Sequence, residues 1–198
     1  MKVKHWMVKE VVTVSPEATL EEAIQLMKRH AIRHLPVTRG ERLLGLVTES
    51  SIRQYARPEE LSRMVREVMI LNPITVSPEA TVDEAARLIY RYKIGGLPVV
   101  ENHRLVGIIT ITDLLEAFIE LMGLLRSSSR LDVIPREPEG LDEVMDIIRQ
   151  YGGRVISIGM DVSPGGEKIY YIRLEKLPVE PLASALEVSG HRVISIVD

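Results

Sequence analysis

Hydrophobic and polar positions follow a recognisable order in the first 50 residues. A β-branched run at residues 11–14 precedes a Ser-Pro pair, and apolar residues then recur at helical intervals across residues 20–31. Because proline donates no backbone hydrogen bond, the Ser-Pro pair ends the run. Short strands are predicted at residues 35–37 and 43–47, with a closing helix after them. The pattern therefore predicts a unit of the order β-α-β-β-α.

The same pattern returns 62 residues later without a gap. Residues 7–52 and 69–114 are identical at 20 of 46 positions, and both copies contain TVSPEAT, at 13–19 and 75–81. In each copy a threonine and a glutamate three residues apart have the spacing of a capping box at the start of the helix. The second copy predicts strands at 74–76, 97–100 and 105–109 and a helix at 112–126. The chain therefore contains a duplicated unit.

Residues 131–198 do not continue the repeat. Their pattern predicts a strand at 131–134, a helix at 141–151, strands at 154–160 and 168–174, a helix at 181–187 and a strand at 192–197. This βαββαβ order is typical of the ferredoxin-like split motif. Three serines favour a linker at 127–130, so the predicted domains are 1–57, 58–126 and 131–198.

Composition narrows the class of protein. The chain has 198 residues, of which 45% are hydrophobic and 27% charged, as in globular proteins. A net charge of −3 gives no basic field for nucleic acid, and the absence of cysteine excludes disulfides and thiolate sites. Acidic residues interrupt the most apolar stretch, 105–125, so we expect no membrane span. The first residues lack a secretory pattern, so we expect a cytoplasmic protein.

Catalytic and metal-binding patterns are missing from the sequence. The five histidines have no metal-ligand spacing, and no G-x-S-x-G segment places a nucleophile at a strand-to-helix turn. We therefore expect no catalytic residue, no metal and no catalytic cofactor.

A strand-to-helix corner in the second repeat is the strongest candidate for a binding site. Residues 107–113, GIITITD, run from a buried strand into a helix start, where the first N–H groups have no partner within the helix. Thr110 adds a hydroxyl, and Asp113 can accept hydrogen bonds from both hydroxyls of a ribose. The alternative is that both residues only cap the helix.

Several of these motifs carry a resemblance to a known family. The repeated TVSPEAT and LPV segments and the GIITITD strand-to-helix corner resemble a tandem pair of CBS domains, the Bateman module, and the element order of the tail with Gly140 resembles an ACT domain. Together they resemble AcuB-like regulatory proteins, named for acetoin utilisation. The resemblance implies an α+β fold in which two β-α-β-β-α repeats precede a ferredoxin-like ACT domain.

The resemblance also implies which residues bind an adenosine-containing ligand. The neighbouring copy completes each pocket, so an apolar wall for adenine comes from residues 11–13 and phosphate contacts come from Arg33 and His34. The predicted nucleotide-binding residues are Val11, Val12, Thr13, Arg33, His34, Leu35, Ile109, Thr110 and Asp113.

A second, weaker pocket is expected at the corresponding corner of the first repeat. Its predicted residues are Ile74, Thr75, Thr48 and Ser51. Ser51 stands where the family has an acidic residue or asparagine, and the phosphate-facing positions are Gly95 and Gly96, which carry no charge. We therefore expect one good pocket per chain.

These expectations combine into a functional hypothesis. The chain is expected to bind AMP, ADP or ATP between its CBS repeats and to relay occupancy through helix 112–126 to the ACT-like domain. The implied partners are a second copy in a homodimer and a regulated enzyme. The alternative is an interaction or amino-acid-sensing protein that acts through the ACT-like domain, at the charged loop 136–140, with CBS pockets that do not function.

Overall fold

The computed structural model describes residues 1–55, 57–136 and 140–197, which form two compact units of mixed α and β structure. The first unit is Met1–Ala117 and the second is Phe118–Asp198. The helices are α1 (Leu20–His30), α2 (Glu49–Arg53), α3 (Val82–Tyr92), α4 (Ile111–Met122), α5 (Gly140–Gln150) and α6 (Glu180–Val188). The strands are β1 (His34–Arg39), β2 (Arg42–Thr48), β3 (Ile70–Leu71), β4 (Gly96–Glu101), β5 (Arg104–Thr110), β6 (Ser128–Ile134), β7 (Val155–Val162), β8 (Lys168–Glu175) and β9 (Arg192–Val197).

The first helix of each repeat begins after the predicted threonine, but the complete capping box forms only in the first repeat. In the second, Thr81 accepts from the Glu84 N–H without the reciprocal bond. Thr19 accepts a hydrogen bond from the Glu22 N–H at 3.2 Å, and the Glu22 carboxylate accepts from the Thr19 N–H at 2.8 Å. This capping box satisfies donors that the helix itself leaves free. Both helices end on a residue with left-handed backbone, Ala31 at φ 52° and Lys93 at φ 54°. The chain then turns sharply into β1 and β4.

Two antiparallel hairpins form the sheet of the first unit. β1 pairs with β2 from His34 opposite Thr48, and β4 pairs with β5 from Gly96 opposite Thr110. The strand order is β1-β2-β5-β4, with β3 against β2. This register puts the end of β2 beside the start of β1, and the end of β5 beside the start of β4. The strand-to-helix corners therefore lie next to the segments that follow α1 and α3.

The strand predicted at the start of each repeat does not form, so that prediction is wrong. Only Val14 pairs, in a single parallel bridge with Val37, and Val76 does the same with Val99. The ladder cannot extend beyond the bridge because Pro16 and its counterpart have no N–H to donate. Residues 11–13 and 73–75 instead form irregular segments beside the sheet.

The two repeats exchange the short segments that precede them. Val3, near the start of the chain, donates its N–H to the Ala80 carbonyl of the second repeat at 2.9 Å. Val65, which precedes the second repeat, donates to the Ala18 carbonyl of the first at 2.8 Å and is buried in the first repeat's core. The predicted boundary between residues 57 and 58 therefore does not coincide with a division in the packing.

The second unit contains the predicted βαββαβ order. Its sheet has the strand order β7-β8-β6-β9 with every neighbouring pair antiparallel, and a buried apolar cluster that includes Leu131, Ile148 and Ile172 lies at its centre. The linker predicted at 127–130 is wrong, because β6 already begins at Ser128, opposite Glu175. Three residues of the predicted loop 136–140, residues 137–139, lie outside the described residues.

Helix α4 is shorter than its apolar pattern predicts. It ends at Met122, and Gly123 follows with φ +66° at a point where a Cβ atom would lie 2.5 Å from Ile156 Cγ2. Its apolar side chains do not share one buried face. Leu115 and Leu121 are 57% and 54% exposed, whereas Leu114 is buried.

Candidate functional site

A cavity of about 250 Å³ lies between the two repeats of the first unit; we call it the first cavity. Its walls come from the irregular segment before α1, the turn between α1 and β1, and the corner between β5 and α4. The lining residues are Val8, Glu10, Val11, Val12, Ala31, Ile32, Arg33, His34, Gly95, Ile108, Thr110, Ile111, Thr112 and Asp113. Both repeats therefore line one cavity, an arrangement that the family resemblance implies.

The corner between β5 and α4 holds its carboxylate in a fixed position. Asp113 Oδ2 accepts hydrogen bonds from the Thr110 N–H at 2.7 Å and from Thr110 Oγ1 at 2.8 Å. These contacts are those of a helix cap, so Thr110 and Asp113 do cap α4. Both contacts use Oδ2, and Asp113 also lines the cavity. Capping and ligand binding are therefore compatible at this residue.

The segment opposite this corner presents two valines to the cavity. Val8 and Ile108 exchange backbone hydrogen bonds of 2.9 and 3.0 Å, which fix the segment against β5. The approach is so close that a Cβ on Gly107 would lie 2.5 Å from Met7 Sδ. Beyond this point Val11 and Val12 are half-buried and form an apolar wall.

Arg33 and His34, which carry a guanidinium and an imidazole, follow α1 and line one side of the first cavity. The Arg33 carbonyl accepts from the Glu49 N–H at 3.0 Å, which holds the turn in place. His34 is half-buried against Gly95, where a Cβ would lie 2.7 Å from His34 Cε1 and Nε2. Burial, and to a lesser extent the charge of Arg33, lowers the pKa of His34 below its ordinary value. The imidazole is therefore neutral near pH 7.

Six of the nine predicted nucleotide-binding residues line the first cavity, and three do not. Leu35 and Ile109 are fully buried core residues, because they alternate with cavity-facing neighbours along their strands. Thr13 lines a different surface depression, beside Glu22. Sequence reasoning missed Glu10, an exposed acidic residue that also lines the first cavity.

A second cavity of about 530 Å³ lies at the corner between β2 and α2. Of the four residues predicted for it, Thr48 and Ile74 line it, whereas Thr75 and Ser51 do not. The Ser51 hydroxyl accepts from the Thr48 N–H at 2.9 Å and donates to the Thr48 carbonyl at 2.9 Å. Its position is therefore set by the helix cap.

The second cavity contains positive charges that the sequence comparison did not predict. Gly95 and Gly96 line it as expected, but Arg33, Arg53 and Lys93 line it as well. The 62-residue offset carried the signal for Lys93, since it corresponds to Ala31, which lines the first cavity. The expectation that this pocket lacks cations is therefore wrong.

Other classes of site are not found in the described part of the chain. Among those residues, no group of three or more His, Asp or Glu side chains is arranged to hold a metal ion. None of the described helices combines the length and the apolar character needed to cross a bilayer.

Comparison with known proteins agrees with this architecture. The model of the CBS domain family matches residues 3–57 and 65–120. The fold and the paired sites thus define a tandem CBS module, and the chain belongs to the CBS domain family.

Two curated relatives show the range of proteins that contain this module. The chain is 35% identical to the CBS domain-containing protein YhcV of Bacillus subtilis over 114 residues, which cover 57% of this chain and 81% of YhcV. It is 42% identical to inosine-5'-monophosphate dehydrogenase of Korarchaeum cryptofilum over 113 residues. That match covers 57% of this chain but only 23% of the dehydrogenase, and it is confined to the CBS region.

Solved structures also resemble the first part of the chain. A protein from Vibrio cholerae assigned to acetoin utilization (AcuB) is 33% identical, with a TM-score of 0.58 over 63% of this chain and 95% of that one. The CBS domain pair of protein MJ0100, in complex with 5'-methylthioadenosine and S-adenosyl-L-methionine, is 30% identical. Its TM-score is 0.55 over 60% of this chain and 99% of that one.

Proposed function

We propose that this chain is a regulatory protein that binds an adenine nucleotide in the first cavity. The observation that carries the proposal is a single cavity that joins Thr110 and Asp113 of the second repeat to Val11, Val12 and Arg33 of the first. An apolar wall, a carboxylate and a guanidinium are the groups that suit adenine, ribose and phosphate. The bound adenosine compounds of the MJ0100 pair support the adenosine part of the proposal.

The geometry of the first cavity supports a role for each group in the proposed complex. Asp113 Oδ2 is held by Thr110, so Oδ1 is the atom that accepts from the ribose hydroxyls. Adenine packs on Val11 and Val12, and backbone groups of the same irregular segment bond to its edge. The phosphate lies near the Arg33 guanidinium, which offers two parallel donors to phosphate oxygens.

The charge of the first cavity favours a nucleotide with few phosphates. Among the described residues that line it, Arg33 is positive and both Glu10 and Asp113 are negative, while His34 is neutral. One guanidinium can balance the phosphate of AMP, whereas each further phosphate would add charge near two carboxylates. We therefore rank AMP before ADP and ATP. The preference for a phosphorylated nucleotide over S-adenosylmethionine rests on the Arg33 guanidinium alone, since the two carboxylates would not disfavour a cationic ligand.

Calorimetric titration tests this proposal with matched ligands. We expect AMP to bind near one per chain and adenosine to bind more weakly. Arg33→Met should weaken AMP about tenfold, because a charge-assisted contact is lost, and should leave adenosine unchanged. Arg29→Met, an exposed arginine of α1 that does not line the first cavity, is the control. A wild-type chain that binds neither AMP, ADP, ATP nor S-adenosylmethionine would refute the proposal.

We propose that helix α4 transmits the effect of ligand binding to the second unit. This helix begins in the first cavity at Ile111 and continues across the division between Ala117 and Phe118 into the second unit. Occupancy would be relayed along it to an ACT-like domain and from there to a partner enzyme, without catalysis by this chain. A ligand can shift such an equilibrium only if it binds the two arrangements with different affinity.

We also propose that the chain acts as a cytoplasmic homodimer. Ile111, Leu115 and Leu121 of α4 are each more than half exposed in the single chain, and a second copy would bury such side chains. Analytical ultracentrifugation checks this directly, and a sedimentation coefficient of a 22.3 kDa monomer at micromolar concentration would contradict it.

A further inference from the structure

We propose that His191 is an acid-sensitive latch in the second unit, which holds the chain at Arg136 while the imidazole is neutral and releases it when a proton binds. His191 lies between α6 and β9, and Arg136 follows the end of β6. Neither residue lines the first cavity, so the latch does not depend on the proposed nucleotide.

The imidazole joins three segments of the second unit. Its side chain is fully buried, and Nδ1 accepts a hydrogen bond from the Arg136 N–H at 3.2 Å. Nε2 lies 3.5 Å from Glu143 Oε2 of α5. The backbone N–H of His191 donates to the Leu186 carbonyl of α6 at 3.0 Å. The residue is therefore fixed between the end of β6, α5 and α6.

The hydrogen bond to Nδ1 defines the protonation state of the ring. A nitrogen that accepts a hydrogen bond carries no proton, so the ring in this arrangement is neutral with its proton on Nε2. Nε2 is buried and, among the described residues, makes no hydrogen bond. A buried N–H of this kind is costly, so the neutral ring is held by Nδ1 alone and at some expense in stability.

A further proton would act on Arg136 in two ways. It would occupy Nδ1 of His191, so the Arg136 N–H would lose its acceptor and face another N–H. The imidazolium would also compete for Glu143 Oε2, which accepts from the Arg136 guanidinium at 2.9 Å. Both of these contacts of Arg136 are therefore sensitive to the same proton.

The charged groups around the ring set the pH at which the latch opens. Glu143 on α5 favours the imidazolium and Arg136 disfavours it, while the adjacent Arg192 is paired with Glu167 at 2.7 Å. Burial outweighs the carboxylate and lowers the pKa of His191 below its ordinary value of 6.5. The unfolded chain therefore takes up the proton first as the pH falls. The latch is closed above pH 6.5, and the second unit loses stability as the pH falls below that value.

Proton NMR of the full chain tests the latch directly. The His191 Cε1 proton should titrate below pH 6.5, and the Arg136 amide signal should shift with the same midpoint, because the two groups share one hydrogen bond. His191→Gln offers an amide oxygen as acceptor but binds no proton in this range, so its Arg136 amide should lack that transition. His30→Gln removes an exposed histidine of α1 and should titrate at Arg136 like the wild type.

The stability of the second unit gives an independent readout. Urea unfolding is followed through the NMR amide signals of β8 and β9, since the only tryptophan, Trp6, lies in the first unit. From about pH 6.5 to about pH 5.5 the folding constant of the wild type should fall severalfold more than that of His191→Gln, with about tenfold per pH unit as the limit for one proton.

Three results would each overturn the proposal. The first is a His191 ring that titrates at or above pH 6.5, and the second is an Arg136 amide that does not follow it. The third is a His191→Gln chain whose second unit loses as much stability in acid as the wild type. If His191→Gln does not fold, the wild-type titration of the ring and the amide decides the question.

Discussion

Replacing Asp113 with serine separates the two roles that the structure gives this residue. Asp113 Oδ2 caps α4 through Thr110, and the carboxylate also lines the first cavity. The first repeat already contains the replacement, because Ser51 caps α2 with a hydroxyl 2.9 Å from the Thr48 nitrogen. Asp113→Ser therefore keeps a cap of known geometry and removes the charge.

The capping role and the ligand-binding role predict different effects of Asp113→Ser, a small loss of stability and a larger loss of AMP affinity. Loss of a helix cap costs about 1 kcal/mol, and a serine that restores the cap should keep the change in unfolding free energy below that. Loss of charge-assisted hydrogen bonds to the ribose should cost about 1.5–3 kcal/mol of binding, which is about ten- to a hundredfold in affinity for AMP. Asp113→Ala should lose both.

Urea denaturation and AMP calorimetry on the same preparations measure the two quantities. Ser51→Ala is the matched control, since it removes the cap of α2 while leaving the first cavity intact, and it should lower stability without changing AMP affinity. If Asp113→Ser bound AMP as tightly as the wild type, the carboxylate would be a cap alone and the assignment of the ribose contact would be wrong.

Three further predictions test the walls of the site and the second unit. Gly95→Ala should displace the His34 ring, because the new Cβ would lie 2.7 Å from it, and should weaken AMP several-fold; an unmoved His34 NMR signal would contradict this. Because burial lowers the pKa of His34, an anion bound beside it should raise that pKa, so binding should take up protons and strengthen as the pH falls towards 6.5. Calorimetry in buffers of different ionisation enthalpy should show this uptake in the wild type and not in His34→Gln. Ile172→Ala should destabilise the second unit by about 2–5 kcal/mol, and hydrogen exchange that stayed slow in β8 and β9 would count against that core.

Much of the fold could be predicted because the same sequence pattern occurs twice in the chain. The offset of 62 residues aligns capping boxes, hairpins and corners, so both hairpins and the helices α1 and α3 lie where the pattern places them. The opening strands failed because their β-branched residues reflect burial beside a cavity more than pairing in a ladder. The linker at 127–130 failed because serine favours loops on average, whereas Ser129 is buried and its hydroxyl donates to the Leu177 carbonyl at 3.2 Å.

One corner of the candidate site could be predicted from a short segment, the residues opposite it were given only by the family resemblance, and the cations of the second cavity were missed. Thr110 and Asp113 belong to a single corner whose chemistry can be read locally. Arg53 and Lys93 are 40 residues apart and approach the same cavity only after both repeats have folded. The ACT-like identity of the second unit stays a prediction, since the matched family region ends at residue 120.

The exchange of leading segments has a consequence for how the module can be divided. The Leu20 N–H donates to the Arg63 carbonyl at 2.9 Å, and the Val82 N–H donates to the Met1 carbonyl at 3.0 Å. The leading segment of each repeat therefore accepts a hydrogen bond from the first residue of the other repeat's helix, α1 or α3. A fragment cut near residue 57 would leave these donors without acceptors and would expose the core position of Val65. We therefore expect the two repeats to unfold together as one cooperative unit. A fragment that is meant to keep this fold should contain both repeats and both leading segments.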